Sequence, residues 1–321
     1  MINKGKKTLF VFLVMAVLTV SMFFQNGSSE MVKDSEERDT KLKIVVTTTV
    51  LGDFTERVGG DKIELTILDS SGMCPADYDT KPEHILAVEN ADLLLKHGVP
   101  GEAWLQDILS SASTIPPINS VGNSPWNLPS NALLIVDNIT DALKDIDLNS
   151  ENDAYYEQNA VDLKMEISNT ADEIKQEAEQ LNVSDIKVIS MIYWKAFLTW
   201  LGYNVTGSFD VTPTASEIQT LVDMAKDENV SMVISNYQSG TEYGATIAQE
   251  VGITHVELTN FPGPFGVDSY VEMLRYDADK LFHAGEEDEA SWFEWYFVPL
   301  IAIPLVLAVV FMIIRERRSG I

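Results

Sequence analysis

The chain is poor in cysteine and histidine, with one cysteine and four histidines among its 321 residues. A single cysteine excludes a disulfide within the chain, so the folded part depends on its hydrophobic core. Basic residues are also scarce: 22 Lys and Arg stand against 49 Asp and Glu, which gives a formal net charge of −27. This excess of negative charge disfavours nucleic acid and anionic lipid surfaces as partners and indicates a solvated acidic surface.

The sequence also lacks the patterns that mark common enzyme classes. It contains no Ser–His–acid order, no glycine-rich phosphate loop and no zincin helix. Cys74 has no histidine placed to activate it as a nucleophile. We therefore predict a non-enzyme without a resident cofactor, in which a bound transition metal would be a transported ligand.

Each end of the chain carries a long apolar run. Three lysines precede the first run, so residues 1–27 are predicted to be either a cleaved signal peptide or an uncleaved anchor. The second run, 297–314, spans roughly 27 Å as a helix, close to the thickness of one hydrocarbon core. Three arginines in the tail 315–321 indicate its cytoplasmic side. We predict an extracytoplasmic domain held on the cell membrane by a transmembrane helix at 297–314, behind an acidic linker at 286–296.

Between these ends the sequence predicts an α/β protein of two lobes. After a polar tether at 28–40, β-rich and helical stretches alternate in 41–129 and again in 148–285, which is typical of mainly parallel sheets covered by helices. Between the two lobes, 130–147 has apolar residues three and four apart, which predicts a long linking helix capped by Ser130.

Local patterns give some element bounds. Residues 42–50 are predicted to be a β-rich run, and the Pro- and Asn-rich passage 115–129 is predicted to lack regular structure. Thr214 and Glu217 predict a capping box that begins a helix. Four Asn-x-Ser/Thr sequences within residues 41–285 suit an exported, glycosylated surface, although such short sequences also arise by chance. They begin at Asn138, Asn182, Asn204 and Asn229.

Several short pieces between Leu42 and Gly285 form a recognisable series. They are Leu51-Gly52-Asp53, Val58-Gly59-Gly60-Asp61, Tyr78-Asp79-Thr80-Lys81-Pro82, Ala196-Phe197 and Tyr270-Val271-Glu272-Met273-Leu274. In order and spacing they resemble the solute-binding receptors of ABC importers for zinc and manganese, whose two lobes are joined by one long helix. The resemblance implies a periplasmic-binding-like fold, metal ion transport, and an ABC permease and ATPase as partners.

In that family histidines from three loops and an acidic residue from a fourth hold the metal, and this chain departs from the pattern at each position. The first loop has Ala76, Asp77 and Tyr78, without histidine. Trp126 and Trp194 stand in the next two loops. The acidic position is Thr259. The four histidines of the chain match none of these loops; they are His84, His97, His255 and His283.

The sequence leaves three uses of the cleft open. Met73, Cys74 and Met191 lie near the ligand loops and would form a soft site suited to copper(I). Alternatively, aromatic residues form a cage for an organic cation or a metal chelate. As a third possibility, the tryptophans pack the lobes shut as a plug. The residues of the cage would be Tyr78, Trp126, Tyr193, Trp194, Phe261 and Phe265, with polar recognition by Lys195 and Asn260.

We therefore predict the extracytoplasmic solute-binding protein of an ABC importer, which delivers a metal ion, a metal chelate or an organic cation to a permease. The alternative is a surface or adhesion protein that kept the fold without binding metal.

Overall fold

The computed structural model describes residues 41–69, 78 and 80–285. Their core is two four-stranded, entirely parallel sheets, one in each lobe. The first sheet has the order β2-β1-β3-β4 and the second β6-β5-β7-β8. The strands are β1 Leu42–Val46, β2 Ile63–Ile67, β3 Leu93–Lys96, β4 Ile118–Ser120, β5 Lys187–Met191, β6 Asn204–Phe209, β7 Met232–Asn236 and β8 Thr254–Leu258. The predicted α/β class with two lobes is thereby confirmed.

Helices follow almost every strand and cover the sheets. They are α1 Thr49–Gly59, α2 Pro82–Glu89, α3 Leu105–Ser111, α4 Pro129–Ile146, α5 Asp153–Gln180, α6 Lys195–Leu201, α7 Ala215–Glu228, α8 Glu242–Val251 and α9 Tyr270–Phe282. The central strands are buried on both faces, as parallel strands between helices must be. Ile44, Val45 and Val46 of β1 are at most 2% exposed.

Two helices, α4 and α5, follow one another between the two sheets. They run antiparallel, as shown by ion pairs of Lys144 with Glu157 and of Lys164 with Asp137. The 28-residue α5 packs on α1 of the first lobe and on α9 of the second. A long helix that contacts both lobes is therefore present, but it is α5; α4, at the position predicted for the linking helix, packs chiefly on α1 of the first lobe and on α5.

The predicted cap of this helix by Ser130 is wrong. Helix α4 begins at Pro129, with Leu128 as its N-cap residue and no side-chain cap. Proline fits the first helical position because its φ is already helical and it has no N–H to leave unpaired. Ser130 consequently lies inside the first turn.

Two other element predictions differ from the structure. Strand β1 ends at Val46, and α1 begins at Thr49 because the Thr48 side chain accepts a hydrogen bond from the Leu51 N–H at 3.4 Å. The passage 115–129 contains the short strand β4, whose three residues are too few for a sequence pattern. The predicted capping box is confirmed: Thr214 and Glu217 exchange hydrogen bonds at the start of α7.

Within the described ranges no helix combines the length and apolarity needed to cross a membrane. The segments predicted as signal peptide or anchor, tether, acidic linker, transmembrane helix and tail lie outside those ranges.

Candidate functional site

A cavity of about 520 Å³ lies between the lobes, where the strands of both sheets end. Loops after β3 and before α4 line it from the first lobe, and loops after β5, β7 and β8 line it from the second. Ligands of parallel α/β folds bind at this carboxyl edge of the sheet. The residues that face it include His97, Glu102, Trp126, Asn127, Tyr193, Asn236, Gln238, Asn260 and Phe261.

Trp126 reaches across this cleft from the first lobe to the second. Its indole N–H donates a 2.7 Å hydrogen bond to the Asn260 carbonyl, and the Trp126 carbonyl accepts one from the Tyr270 hydroxyl at 2.7 Å. The indole stacks on His97 with ring centroids 4.3 Å apart and lies tilted against Phe261 at 5.3 Å. With two rings packed on the indole, the geometry at Trp126 favours the plug over the cage.

Three further hydrogen bonds join the lobes around Trp126. The Asn127 amide donates to the Tyr193 carbonyl at 3.0 Å. The Thr49 hydroxyl donates to the Pro262 carbonyl at 2.9 Å. The N–H of Tyr270, at the start of α9, donates to the Asp53 carboxylate at 2.8 Å. Burial raises the pKa of Asp53 to about 6, an effect that the Tyr270 N–H and nearby Arg57 partly oppose.

A buried carboxylate forms the first-lobe wall of the cleft. Glu102 is 5% exposed and accepts hydrogen bonds from the Thr47 hydroxyl at 2.5 Å and from the backbone N–H groups of residues 97, 98 and 99 at 2.6–3.2 Å. His97 contacts the Thr48 hydroxyl through Nε2 at 2.9 Å. Burial lowers the pKa of His97 to about 4 although Glu102 opposes the shift, so the ring is neutral at pH 7. This wall therefore carries negative charge.

Neutral amides form the second-lobe wall. Gln238 donates to the Thr259 hydroxyl at 2.7 Å and accepts from the Asn260 N–H at 3.0 Å. Asn236 pairs with the Ser239 hydroxyl at 2.9 Å. Thr259 itself is fully buried, and its N–H donates to Asp277 at 2.9 Å. Thr259, at the family's acidic position, therefore holds the loop, whereas Asn260 faces the cleft.

Four other predicted site residues also point elsewhere. Trp194 is fully buried against Phe197, because the single 3-10 turn after β5 directs it into the core while Tyr193 stays outside. Tyr78 stacks on Trp104 at 4.0 Å within the first lobe. Lys195 lines an outer groove with Leu128 and Trp200. Met191 is 1% exposed in the second-lobe core.

The first ligand loop cannot be compared in the same way. Met73, Cys74, Ala76 and Asp77 lie outside the described residues. Within the part of the chain that is described, no group of three or more His, Cys, Asp and Glu side chains is arranged to hold a metal ion.

Sequence reasoning missed His97, Glu102, Asn236 and Gln238 as cleft residues. His97 matches no ligand loop of the family, yet it directly follows β3. Asn236 and Gln238 stand in the same relation to β7. Their position after the carboxyl ends of parallel strands is the pattern that could have identified them.

Comparison with known proteins places this architecture among metal receptors. Residues 44–284 match the profile of the zinc-uptake complex component A, periplasmic. The manganese-binding lipoprotein MntA of Halalkalibacterium halodurans is 22% identical over 302 residues, covering 85% of this chain and 97% of that protein. The manganese ABC transporter substrate-binding lipoprotein PsaA of Streptococcus pneumoniae is 23% identical over 307 residues, with coverages of 85% and 95%.

Solved structures show the same fold. The Mn-bound periplasmic metal-binding protein of Candidatus Liberibacter asiaticus has a TM-score of 0.66 at 18% identity, covering 75% of this chain and 98% of that one. The solute-binding protein FpvC of Pseudomonas aeruginosa, in complex with Mn2+, has a TM-score of 0.66 at 19% identity, with coverages of 76% and 97%.

Proposed function

We propose, from the premise that the chain belongs to the family of periplasmic zinc-uptake components, that it binds its solute between the two lobes and delivers it to the permease. The family consists of extracytoplasmic receptors of ABC importers, which work with permease and ATPase subunits. The observation that supports the site is the cleft at the carboxyl edges of both sheets, lined by loops from each lobe.

The solute that fits this cleft best is a cation in chelated or organic form. A bare transition metal needs several nitrogen, sulfur or carboxylate ligands converging at about 2 Å. The described walls offer mainly neutral amides and aromatic rings around about 520 Å³, with the buried Glu102 carboxylate to attract positive charge. Tyr193, which is 45% exposed, is the aromatic ring best placed to contact such a ligand.

We further propose that this receptor is tethered by its C-terminal apolar segment. The relatives MntA and PsaA are lipoproteins. No cysteine lies at the end of the N-terminal apolar run, since the only cysteine of the chain is Cys74. Deletion of residues 297–321 should therefore move the protein from the membrane pellet to the soluble fraction. Retention in the pellet would refute this tether.

The second candidate is a surface protein that kept the fold without transport. The hydrogen bonds and ring contacts of Trp126 favour it, because they hold the lobes together with the protein's own groups.

Native mass spectrometry of the protein purified without chelator tests these proposals. A retained organic or chelate mass that Tyr193→Ala removes would support the proposed ligand class. Tyr243→Ala is the matched control, since Tyr243 is similarly exposed but lies on α8 and does not line the cavity.

Each other outcome identifies a competing hypothesis. Stoichiometric bare zinc or manganese would refute a chelated or organic solute. Copper lost on Cys74→Ser would support the soft site, and an unchanged copper content would exclude it. A protein that stays empty when offered cell extract would favour the surface-protein alternative.

A further inference from the structure

Three Asn-Val-Ser/Thr sequences lie where the chain enters the second sheet. Asn182 follows α5 just before β5, Asn204 begins β6, and Asn229 follows α7 just before β7. All three asparagines are exposed. Asn-x-Ser/Thr is the acceptor sequence for N-linked sugars, and such sugars are carried on the surface of exported proteins.

The three sequences converge on one edge of the sheet. Asn204 is the direct partner of Lys187, the first residue of β5. The Lys187 carbonyl also accepts a 2.9 Å hydrogen bond from the N–H of Ser231, the last residue of the third sequence. Since neighbouring strands lie about 4.8 Å apart, the asparagines cluster at the amino-terminal edge of β5, β6 and β7.

This edge lies opposite the cleft. The cleft residues Tyr193 and Asn236 come at the carboxyl ends of β5 and β7. A five-residue strand with a rise of about 3.3 Å per residue separates the two edges by roughly 15 Å. Sugars at the amino-terminal edge would therefore leave the cleft and the loops that line it unobstructed.

Local geometry presents two of these asparagines outward. Asn182 and Asn229 adopt left-handed backbone conformations, with φ of 54° and 55°, in the turns that end α5 and α7. The valine after each is buried, at 3% and 4% exposure, whereas Ser184 and Ser231 are exposed. The asparagine and the serine of each turn are thus exposed together; the Asn182 amide also donates a long hydrogen bond, at 3.3 Å, to the Gln180 carbonyl.

The fourth sequence, at Asn138, is also exposed at its asparagine but differs in its backbone and in its hydroxyl residue. It lies within helix α4, and its amide donates a 2.8 Å hydrogen bond to the Val121 carbonyl. Thr140 is 6% exposed, and its hydroxyl donates to the Val136 carbonyl at 2.7 Å. It provides an internal control with the same sequence pattern in an unsuitable conformation.

We propose that Asn182, Asn204 and Asn229 carry N-linked glycans and that Asn138 does not. The donor is a lipid-linked oligosaccharide on the extracytoplasmic side of the membrane. In each transfer the asparagine Nδ2 forms a bond to C1 of the sugar, the bond from C1 to the lipid phosphate oxygen breaks, and the amide loses one proton. The lipid phosphate leaves with the electron pair of the broken bond.

Glycopeptide mapping by mass spectrometry tests this in the full-length protein isolated from membranes of the source organism. Peptides containing Asn182, Asn204 and Asn229 should carry sugar masses, and the Asn138 peptide should have its unmodified mass. Sugar on fewer than two of the three sites, or equal modification of Asn138, would overturn the proposal.

Variants of the hydroxyl residue identify each site without changing its asparagine. Ser184→Ala, Thr206→Ala and Ser231→Ala should each remove the sugar from one site only. Thr206→Ser keeps the hydroxyl and should keep the sugar at Asn204, which separates loss of the acceptor sequence from any effect on folding. Sugar that persists at the asparagine of each alanine variant would also refute the assignment.

Discussion

Replacing Asp53 by asparagine should flatten the pH dependence of stability. Asp53 lies on α1 of the first lobe, and its carboxylate accepts the Tyr270 N–H of the second lobe at 2.8 Å. Burial is the largest cause of its raised pKa; the Tyr270 N–H and Arg57 oppose this shift, whereas Glu166 and Glu56 add to it. Asparagine has nearly the same shape and can still accept the N–H, but it cannot ionise.

The sign and size follow from the pKa of Asp53 in the two states. In the folded protein it is about 6, against an ordinary value of 3.8. Below about pH 4 Asp53 is protonated in both the folded and the unfolded state, so its ionisation does not reduce the unfolding free energy. Between pH 4 and 6 Asp53 ionises in the unfolded chain but stays protonated in the folded protein, so the unfolding free energy falls. Roughly two pKa units correspond to about 3 kcal/mol of unfolding free energy.

Urea denaturation of residues 41–285 at intervals from pH 4 to 7.5 measures the effect. The unfolding free energy of Asp53→Asn minus that of the wild type should rise by about 3 kcal/mol between pH 4 and 7. Asp227→Asn removes the same charge from an exposed position on α7 and serves as the control. Parallel wild-type and Asp53→Asn profiles across this range would refute the reasoning.

Substitutions at three other residues test contacts in and near the second lobe. Trp126→Phe keeps the ring packing but loses the bond to Asn260, and should cost about 1 kcal/mol in urea denaturation. Trp126→Ala should also increase the radius of gyration in X-ray scattering, because the lobes lose their bridge; an unchanged radius would contradict this. Burial raises the pKa of Asp277 well above its usual range, so Asp277→Asn should be tolerated at pH 7. By contrast, Asp277→Ala should cost about 2–3 kcal/mol through the unpaired Thr259 N–H and the cavity, and equal losses would refute this. Thr214→Ala should cost about 1 kcal/mol of unfolding free energy by removing the α7 cap, and an unchanged urea midpoint would contradict this.

Much of the fold could be predicted because its rules are local. The alternation of strands and helices could be predicted because elements such as β5, α6 and β8 are apolar runs that end at a clear change of pattern. Strand β4 escaped prediction because three residues beside prolines carry no periodicity, and it forms only by pairing with β3. The cap of α4 was misplaced because Pro129 and Ser130 both favour a helix start, and the proline takes the first position.

The site was harder to predict because side-chain direction depends on tertiary packing. Tyr193 and Trp194 are neighbours in the sequence, yet one is 45% exposed at the cleft and the other fully buried. Thr259 and Asn260 divide in a similar way, because Gln238 and Asp277 fix the loop that carries them. Two second-lobe loops named from the sequence, after β5 and β8, line this cleft, but the sequence could not determine which residue of each loop faces it.

The contacts around Trp126 bear on how this receptor closes. A ligand shifts the balance between open and closed lobes only as far as it binds one state better than the other. Here five hydrogen bonds among the protein's own groups already join the lobes. At about 1 kcal/mol each they supply roughly 5 kcal/mol towards the closed state. A solute that enters beside Trp126 can add its contacts to these bonds, whereas one that displaces the indole must replace the indole's bond to the Asn260 carbonyl.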